Sequence, residues 1–434
     1  MKRNSLKTQA MITTVCGALV RLMGFFLRLL LSRLLGAEAL GVMELASGAH
    51  MLALTPAASG LPSAVSRLTA RAETPEKRAL ILRLARKMAL KTGLLLFPLM
   101  LLLSPFAARA LGDERALPSL WLFSPCVIVV SVSSVYDGAF FGMGRALPPA
   151  LSEMAEQLVR LGCVLCFAFL IPRLTPAYRA ALPAFASTLG EAAGLLVIMS
   201  LMGRVKKPGM EASRDVKRQL IHLSLPLLCN RLVHTFLRSL CSAMVPSRLM
   251  AAGLSQSEAM SRLGMLGGMV MPLMFLPGLL SGALAAVGAP AAARCKSAEA
   301  ERRLFFRLLL PSLAVGALCA AFLYLFAPWI SMGVYRLPEL TPLLRSACPL
   351  AVLLPVSQTV GGFMTGLGQQ KRSLFAGLLG AAATLLCTYQ WTRSLGIAGS
   401  ACAQIAGHGL TLFCELAYLL LRLFKKGPAP CRCS

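Results

Sequence analysis

Long apolar segments alternate with short basic segments along the whole chain. A helix needs about 20 mostly apolar residues to cross the hydrocarbon core of a bilayer. Twelve segments fit this pattern, at residues 10–34, 39–66, 88–108, 117–142, 147–171, 181–203, 219–248, 263–291, 304–327, 341–367, 373–391 and 397–424. The pattern therefore predicts an all-α polytopic membrane protein with about 12 transmembrane helices.

The composition excludes an ordinary soluble protein. Of the 434 residues, 57% are hydrophobic and only 14% are charged, whereas soluble domains carry about 25% charged residues. The formal net charge of +27 at pH 7 is of a size found in nucleic-acid-binding proteins. Here the basic residues punctuate apolar segments and form no separate polar domain, so we predict no nucleic-acid partner.

The distribution of lysine and arginine predicts the orientation in the membrane. With the N-terminus in the cytoplasm, about 29 of the 44 Lys and Arg residues fall in cytoplasmic segments and nine in segments on the other side. Such an excess is typical of cytoplasmic loops. We therefore predict a multi-pass protein of the cytoplasmic membrane with both termini in the cytoplasm.

The basic, amphipathic stretch at residues 75–91 has two interpretations. It is either a separate helix lying along the membrane interface or the start of a longer tilted helix that continues into the third span. The sequence favours neither.

An internal repeat divides the chain into two halves. The segment VSSVYDGAFFGMGR at 132–145 is similar to VSQTVGGFMTGLGQ at 356–369, with an offset of 224, and SGLPSAV at 59–65 is similar to SGALAAV at 281–287, with an offset of 222. Two concordant offsets indicate parallel six-helix halves, as in some transporters. The predicted organisation is an N-terminal six-helix lobe at 1–203, a basic cytoplasmic linker at 204–218, a C-terminal six-helix lobe at 219–426 and a cytoplasmic tail at 427–434.

Motifs of enzymes and of cofactor-binding proteins are absent from the sequence. There is no phosphate-binding P-loop, no H-E-x-x-H, no G-x-S-x-G and no cluster of the four histidines. We therefore predict that the protein is not an enzyme and has neither a metal centre nor a cofactor. Energy for transport would come from an ion gradient, the membrane potential or the substrate gradient.

Arginines inside predicted spans are the main candidates for substrate binding, because a charge in the membrane costs at least about 2.5 kcal/mol and normally has a partner or faces a cavity. Arg21 and Arg28 are seven residues apart in the first span, and Arg231 and Arg238 are seven apart in the seventh. Residues two turns apart share a helix face, and Arg binds phosphate oxygens in a bidentate geometry. The alternative is structural pairing, with Glu44 as the partner of Arg28.

Acidic residues in spans are candidates for coupling to a cation or a proton. Glu153, Glu156 and Arg160 have the spacing of an ion-paired helix surface. Asp137 and Glu191 lie among glycine and apolar residues, so they are the better coupling candidates, and we group Glu44 with them.

Ordered motifs along nearly the whole chain resemble the stage V sporulation protein B and oligosaccharide-flippase group. The motifs are RLMGFFLRLLLSRLLGAEALGV at 21–42, GLPSAVSR at 60–67, SLPLLCNRL at 224–232, FLPGLLSGAL at 275–284, GFMTGLGQ at 362–369 and LGIAGSA at 395–401. This group belongs to the multidrug/oligosaccharidyl-lipid/polysaccharide exporter superfamily. The resemblance implies two six-helix lobes around a V-shaped cavity that opens alternately to each side. It also implies that Arg21, Arg28 and Arg231 bind a lipid pyrophosphate, whereas Arg238 is added from its helix face alone.

The leading hypothesis is a monomeric flippase that moves an undecaprenyl-pyrophosphate oligosaccharide or a peptidoglycan precursor, in sporulation or cell-envelope synthesis. Its expected partners are the lipid-linked saccharide pyrophosphate, anionic membrane lipids, and Na⁺ or H⁺ as the coupling ion. Two alternatives are a cation-coupled multidrug exporter of the same superfamily and a membrane scaffold for envelope synthesis. A drug exporter predicts a cavity rich in acidic and aromatic groups, yet the chain has only three Trp and six Tyr.

Overall fold

The chain is helical throughout the part that the structure describes. The structure is a computed structural model and describes residues 3–203, 213–293, 295 and 297–424. The α-helices are α1 (Arg3–Ala58), α2 (Gly60–Arg71), α3 (Pro75–Ala110), α4 (Leu117–Gly142), α5 (Leu147–Phe167), α6 (Pro176–Met202), α7 (Ser213–Met250), α8 (Gln256–Gly264), α9 (Met271–Phe275), α10 (Gly278–Ala293), α11 (Ala298–Leu325), α12 (Ala327–Trp329), α13 (Leu340–Ala347), α14 (Leu350–Gly366), α15 (Gln370–Leu395) and α16 (Ile397–Phe424). Two 3₁₀ turns (Glu114–Ala116 and Ile171–Arg173) and two π-helical turns (Met265–Val270 and Ile330–Tyr335) connect some of them.

All twelve predicted spans fall on helices. Nine stretches of the described chain are long and apolar enough to cross a membrane, and one of them, Val15–Arg71, covers the first two predicted spans. The backbone of Gly36 breaks that stretch at a φ of 80°, a conformation that glycine adopts without steric cost. The predicted fifth span is helix α5, which carries three charged side chains, and the eighth is divided among the π-helical turn at 265–270, α9 and α10.

The structure confirms one of the two interpretations of the basic stretch at 75–91. Helix α3 runs without interruption from Pro75 to Ala110, so the stretch is the start of a longer helix. Thr74 caps the helix, its side-chain oxygen accepting a hydrogen bond from the backbone N–H of Lys77 at 3.3 Å.

The described chain forms two compact units, unit 1 (Met1–Ala243) and unit 2 (Met244–Ser434). The division lies inside helix α7, so most of that helix belongs to unit 1. The predicted tail at 427–434 and most of the predicted linker at 204–218 lie outside the described residues. The division into lobes at 1–203 and 219–426 therefore stays a prediction.

Unit 1 is built around helix α4, which contacts α1, α2, α3 and α6. Its apolar core includes buried side chains of α2, α3, α4, α6 and the start of α7. Representative members are Val65, Ile81, Phe140, Ile198 and Leu220. The start of α7 is thus part of the core of unit 1.

Unit 2 repeats this arrangement around helix α14, which contacts α10, α11 and α16. Its core includes buried side chains of α10, α11, α14 and α16, among them Ala292, Phe305, Phe363 and Leu419. Phe305 and Ile81 differ in position by 224 residues, the offset of the sequence repeat. The same helices of each half therefore form the same core.

Close helix contacts at glycine confirm the internal repeat in three dimensions. In unit 1, a Cβ atom added to Gly138 would collide with the backbone oxygen of Pro62 on α2. In unit 2, one added to Gly362 would lie 2.7 Å from the Cβ of Ala285 on α10. Gly138 and Gly362 are the glycines that the repeat aligns, so their shared role is close packing of helix backbones.

Candidate substrate-binding and coupling site

The break at Gly36 turns the first helix back on itself and brings two predicted site residues together. Arg28 Nη1 and Glu44 Oε1 form an ion pair across the two halves of α1. The side chain of Arg28 is half-buried, and that of Glu44 is more deeply buried. The pairing that the sequence left open as an alternative for Arg28 is therefore present.

The second pair of candidate arginines lies on α7, which packs along the second half of α1. Ser239 Oγ donates a hydrogen bond to the backbone oxygen of Gly48 at 2.7 Å, and Thr55 Oγ1 donates to Thr235 Oγ1 at 3.2 Å. Residue numbers rise along one helix as they fall along the other, so the two helices are antiparallel. This contact holds Arg231 and Arg238 in the same unit as Arg21 and Arg28.

The contacts give the relative height of the two arginine pairs. Glu44 is four residues from Gly48, which is about 6 Å of helix rise. Because Gly48 contacts Ser239, Arg238 lies about one helical turn from the level of the Arg28–Glu44 pair. The two arginine pairs are 210 residues apart in sequence, whereas the offset of the repeat is 222 to 224. They therefore lie in equivalent spans, the first and the seventh, but not at equivalent positions of the repeat.

Three of the four arginines have exposed side chains and no acidic partner. Arg21, Arg231 and Arg238 are exposed, and within the described residues no carboxylate lies at ion-pair distance from them. Arg21 is still close enough to Glu153 on α5 to interact with it electrostatically. These arginines present positive charge that an anionic ligand can neutralise.

A cluster of ion pairs joins α5 to α6 in the same unit. Arg160 Nη2 pairs with Glu156 one turn away on α5 and with Glu191 Oε1 on α6 at 2.9 Å. The pairing of Arg160 with Glu156 confirms the ion-paired surface predicted from sequence. Glu191, a coupling candidate because its neighbours in the sequence are apolar, is the second partner of Arg160, and its coupling role stays a prediction. Asp137 on α4 lies near enough to Glu153 and Glu156 to interact with both.

His50 is a polar residue beside this cluster that the sequence did not single out. It is buried, its ring stacks on Phe123 with 4.1 Å between ring centroids, and its Nδ1 has no hydrogen-bond partner in the described chain. It also interacts electrostatically with Arg160. A single histidine in an apolar span does not indicate from sequence that it lies beside these ion pairs.

The repeat relates the half-buried Glu191 to a buried glutamate in unit 2. Glu415 on α16 lies 224 residues after Glu191 and is buried. Its carboxylate accepts a hydrogen bond from Ser373 Oγ at the start of α15. The sequence offset alone could have paired Glu191 with Glu415, whereas only the structure reveals their different partners.

Comparisons with known proteins agree with this architecture. The sequence profile of the family described as polysaccharide biosynthesis protein matches residues 6–296. The chain is 26% identical over 425 residues to stage V sporulation protein B of Bacillus subtilis (strain 168), covering 94% of this chain and 82% of that protein. It is 24% identical over 226 residues to lipid II flippase MurJ of the same organism, covering 47% of this chain and 42% of that protein.

Solved structures show the same fold. An inward-facing multidrug resistance MATE family transporter of the MOP superfamily matches with a TM-score of 0.74 and 17% identity, covering 94% of this chain and 98% of that one. A lipid II flippase MurJ in an inward closed conformation matches with a TM-score of 0.76 and 14% identity, covering 94% and 87%. Together with the nine apolar stretches of the described chain, these relatives make the chain a multi-pass membrane protein with the fold of a MOP-superfamily transporter.

Proposed function

The chain belongs to the polysaccharide biosynthesis protein family, and we propose that it is a flippase for a lipid-linked saccharide. The substrate is a saccharide on undecaprenyl pyrophosphate, either an oligosaccharide or a peptidoglycan precursor. Similarity to a stage V sporulation protein B and to a lipid II flippase supports this substrate class. The observation that carries the proposal is a set of three exposed arginines, Arg21, Arg231 and Arg238, that form no ion pair with any described carboxylate.

These arginines suit a pyrophosphate for chemical reasons. A guanidinium group forms two parallel hydrogen bonds with phosphate oxygens, and it keeps its charge at every physiological pH. In a medium of low dielectric constant, an unpaired charge is costly, so binding of a doubly charged anion relieves that cost. Arg28 contributes when the phosphate replaces Glu44 as its partner.

Transport proceeds by alternating access, without chemical change of the substrate. The protein acts as a monomer in the cytoplasmic membrane with both termini in the cytoplasm, as the distribution of basic residues predicts. Its biological setting is cell-envelope or spore-envelope synthesis, in line with the sporulation relative.

Three acidic residues are the proposed coupling groups for Na⁺ or H⁺. Glu44 is released from Arg28 when phosphate binds, so its charge becomes available to a cation. Glu191 shares Arg160 with Glu156, so two carboxylates compete for one guanidinium group and one of them is under-neutralised. Asp137 adds a further carboxylate near Glu156. An excess of negative charge of this kind attracts a proton or a small cation.

The test is lipid flipping in proteoliposomes with a fluorescent undecaprenyl-pyrophosphate saccharide. Wild type should flip the lipid, and Arg21→Ala and Arg231→Ala should each flip it at least about tenfold more slowly, since a hydrogen bond to a charged group contributes about 1.5–3 kcal/mol. The matched control is Arg173→Ala, which removes the same charge from the exposed turn after α5. Normal flipping by both arginine variants would refute the phosphate-binding role.

The second candidate is a cation-coupled multidrug exporter, which the carboxylate cluster of Asp137, Glu156 and Glu191 favours. Cationic drugs would bind these acids rather than the arginines. Efflux of a cationic dye that is lost in Glu191→Gln and kept in Arg21→Ala, without flipping of the saccharide lipid, would select this candidate over the flippase.

A further inference from the structure

The first five turns of helix α3 carry a dense set of exposed basic side chains. We define the basic face of α3 as six exposed residues, namely Lys77, Arg78, Arg83, Arg86, Lys87 and Lys91. The same turns also bury apolar side chains in the core of unit 1, Leu80, Ile81 and Ala85 among them. The basic face is therefore held on a packed helix with a fixed orientation.

Acidic side chains do not neutralise the basic face. In the part of the chain that the structure describes, none of its six residues lies within ion-pair distance of a carboxylate. Arg86 is fixed further by its Nη1, which donates a hydrogen bond to Tyr136 Oη on α4 at 3.3 Å. Its positive charge remains uncompensated, because a tyrosine hydroxyl is neutral.

The equivalent start of helix α11 in unit 2 differs in both charge and pairing. There, Arg303 pairs with Glu299 on the same helix, and Arg422 of α16 pairs with Glu301. At the offset of 224, Lys91 corresponds to an apolar residue, Val315. The repeated fold therefore does not require a basic face, and unit 1 carries an additional feature.

Immediately after the basic face, helix α3 exposes a row of large apolar side chains. Leu94, Leu95 and Leu99 are 54%, 68% and 45% exposed. In a membrane protein such a row contacts the acyl chains of lipids. Lys91 is three residues before Leu94, or about 4.5 Å of helix rise. The C-terminal end of the basic face, at Lys91, consequently lies at the level where headgroup phosphates meet the acyl chains.

We propose that the basic face of α3 is a binding surface for anionic phospholipids, whose phosphates contact the lysines and arginines while their acyl chains lie along Leu94, Leu95 and Leu99. Charge complementarity and the adjoining apolar row select this ligand over a soluble acidic protein, which would leave the apolar row uncovered. Clustered basic residues at a membrane surface attract anionic lipids in this way. The surface is separate from the arginines of α1 and α7 and does not depend on the transport activity.

The test compares two variants that each lose three charges. Arg83→Gln/Lys87→Gln/Lys91→Gln changes the basic face, and Arg302→Gln/Arg303→Gln/Arg307→Gln changes the equivalent start of α11. Each protein is extracted from vesicles of phosphatidylglycerol and phosphatidylcholine, and the retained lipids are counted by native mass spectrometry. We expect wild type and the α11 variant to retain phosphatidylglycerol in preference to phosphatidylcholine. In the α3 variant, the ratio of the two retained lipids should fall at least about tenfold.

Equal loss of preference in both variants would show a general effect of net charge and would overturn the proposal, as would unchanged preference in the α3 variant. If the triple variant does not fold, Lys87→Gln/Lys91→Gln replaces it, because both side chains are exposed and lie outside the core. High salt should also lower the preference of wild type, since exposed charges are screened. Salt-independent retention of both lipids would show apolar contacts alone and refute the role of the basic face.

Discussion

Helices α5 and α6 of unit 1 and helices α15 and α16 of unit 2 are equivalent in the internal repeat, yet their interfaces differ in chemistry. In unit 2 the two backbones touch. A Cβ atom added to Gly380 would collide with Thr411 Oγ1 and would lie 2.5 Å from the backbone oxygen of Gly407. Thr384 Oγ1 donates a hydrogen bond to the backbone oxygen of Gly380 at 2.9 Å. This interface is closed by small residues and contains no charge between these positions.

In unit 1 the same positions carry charged side chains. At the offset of 224, Gly380 corresponds to Glu156 and Thr384 to Arg160. Arg160 then bridges Glu156 and Glu191. One fold thus supports two kinds of helix contact at these positions: a neutral one in unit 2 that depends on shape, and an ionic one in unit 1 whose strength depends on protonation. We therefore expect coupling to an ion gradient to act on unit 1.

The largest expected effect is that of removing the shared cation from unit 1. Arg160→Ala should lower the free energy of unfolding by about 3–5 kcal/mol, because it leaves two carboxylates in a partly buried site without their partner. Its repeat equivalent in unit 2, Thr384→Ala, removes one neutral hydrogen bond and should cost about 1 kcal/mol. Denaturant titration in detergent micelles measures both.

A compensating variant sharpens this test. Adding Glu156→Gln and Glu191→Gln to Arg160→Met removes all three charges, and it should recover most of the lost stability, since the destabilisation comes from unpaired charge. If the triple variant were as unstable as Arg160→Ala, the loss would come from packing and not from electrostatics.

The next effect tests the neutral interface of unit 2. Gly380→Val places a side chain against Gly407 and Thr411, and overpacking of this kind costs about 1–3 kcal/mol. Gly409→Val on α16 is the matched control, because nothing lies within 4 Å of its Cβ position, and its change should stay within about 0.5 kcal/mol. Similar losses in both variants would mean that helix propensity, and not the close contact, decides stability.

Much of this fold could be predicted from sequence because each span is a local signal. Each of the twelve apolar runs falls on helix, and the spacing of Gly138 and Gly362 predicted the repeat that their contacts support. A run of apolar residues needs no knowledge of its neighbours, since the bilayer itself selects it. The ion pair of Arg160 with Glu156 is also a local signal, because both residues lie on one helix, four positions apart.

Contacts between segments that are distant in sequence could not be predicted from the sequence pattern. Nothing in the residues around Glu191 indicates that it faces Arg160, because the rotation of α6 is set by packing against α4 and α5. Likewise, the assignment of most of α7 to unit 1 follows from its contacts with Gly48 and Thr55, which lie about 190 and 180 residues away along the chain. Periodicity fixes which residues share a face, but not which helix that face meets.

A smaller effect concerns Glu191 and its repeat equivalent Glu415. Glu191→Gln should reduce the stimulation of flipping by an imposed Na⁺ or H⁺ gradient by about tenfold, equivalent to about 1.4 kcal/mol, because it removes a charge from the ionic interface. Glu415→Gln should keep the stimulation within about twofold, since Glu415 is hydrogen-bonded to the neutral Ser373. Flux is measured in proteoliposomes with and without the gradient. An equal loss in both variants would assign coupling to both units.

The smallest expected effect tests which unit holds the arginines of α7. Ser239→Ala removes the hydrogen bond to the backbone oxygen of Gly48, and it should cost about 0.5–1.5 kcal/mol. Ser247→Ala is the control, because that hydroxyl donates a hydrogen bond within its own helix, to the backbone oxygen of Met244. Amide hydrogen exchange of α7 and of the second half of α1 reports the result. If Ser239→Ala loosens both segments together and the control loosens neither, then Arg231 and Arg238 are positioned by unit 1, and the substrate phosphate is bound by one unit rather than shared equally by two halves.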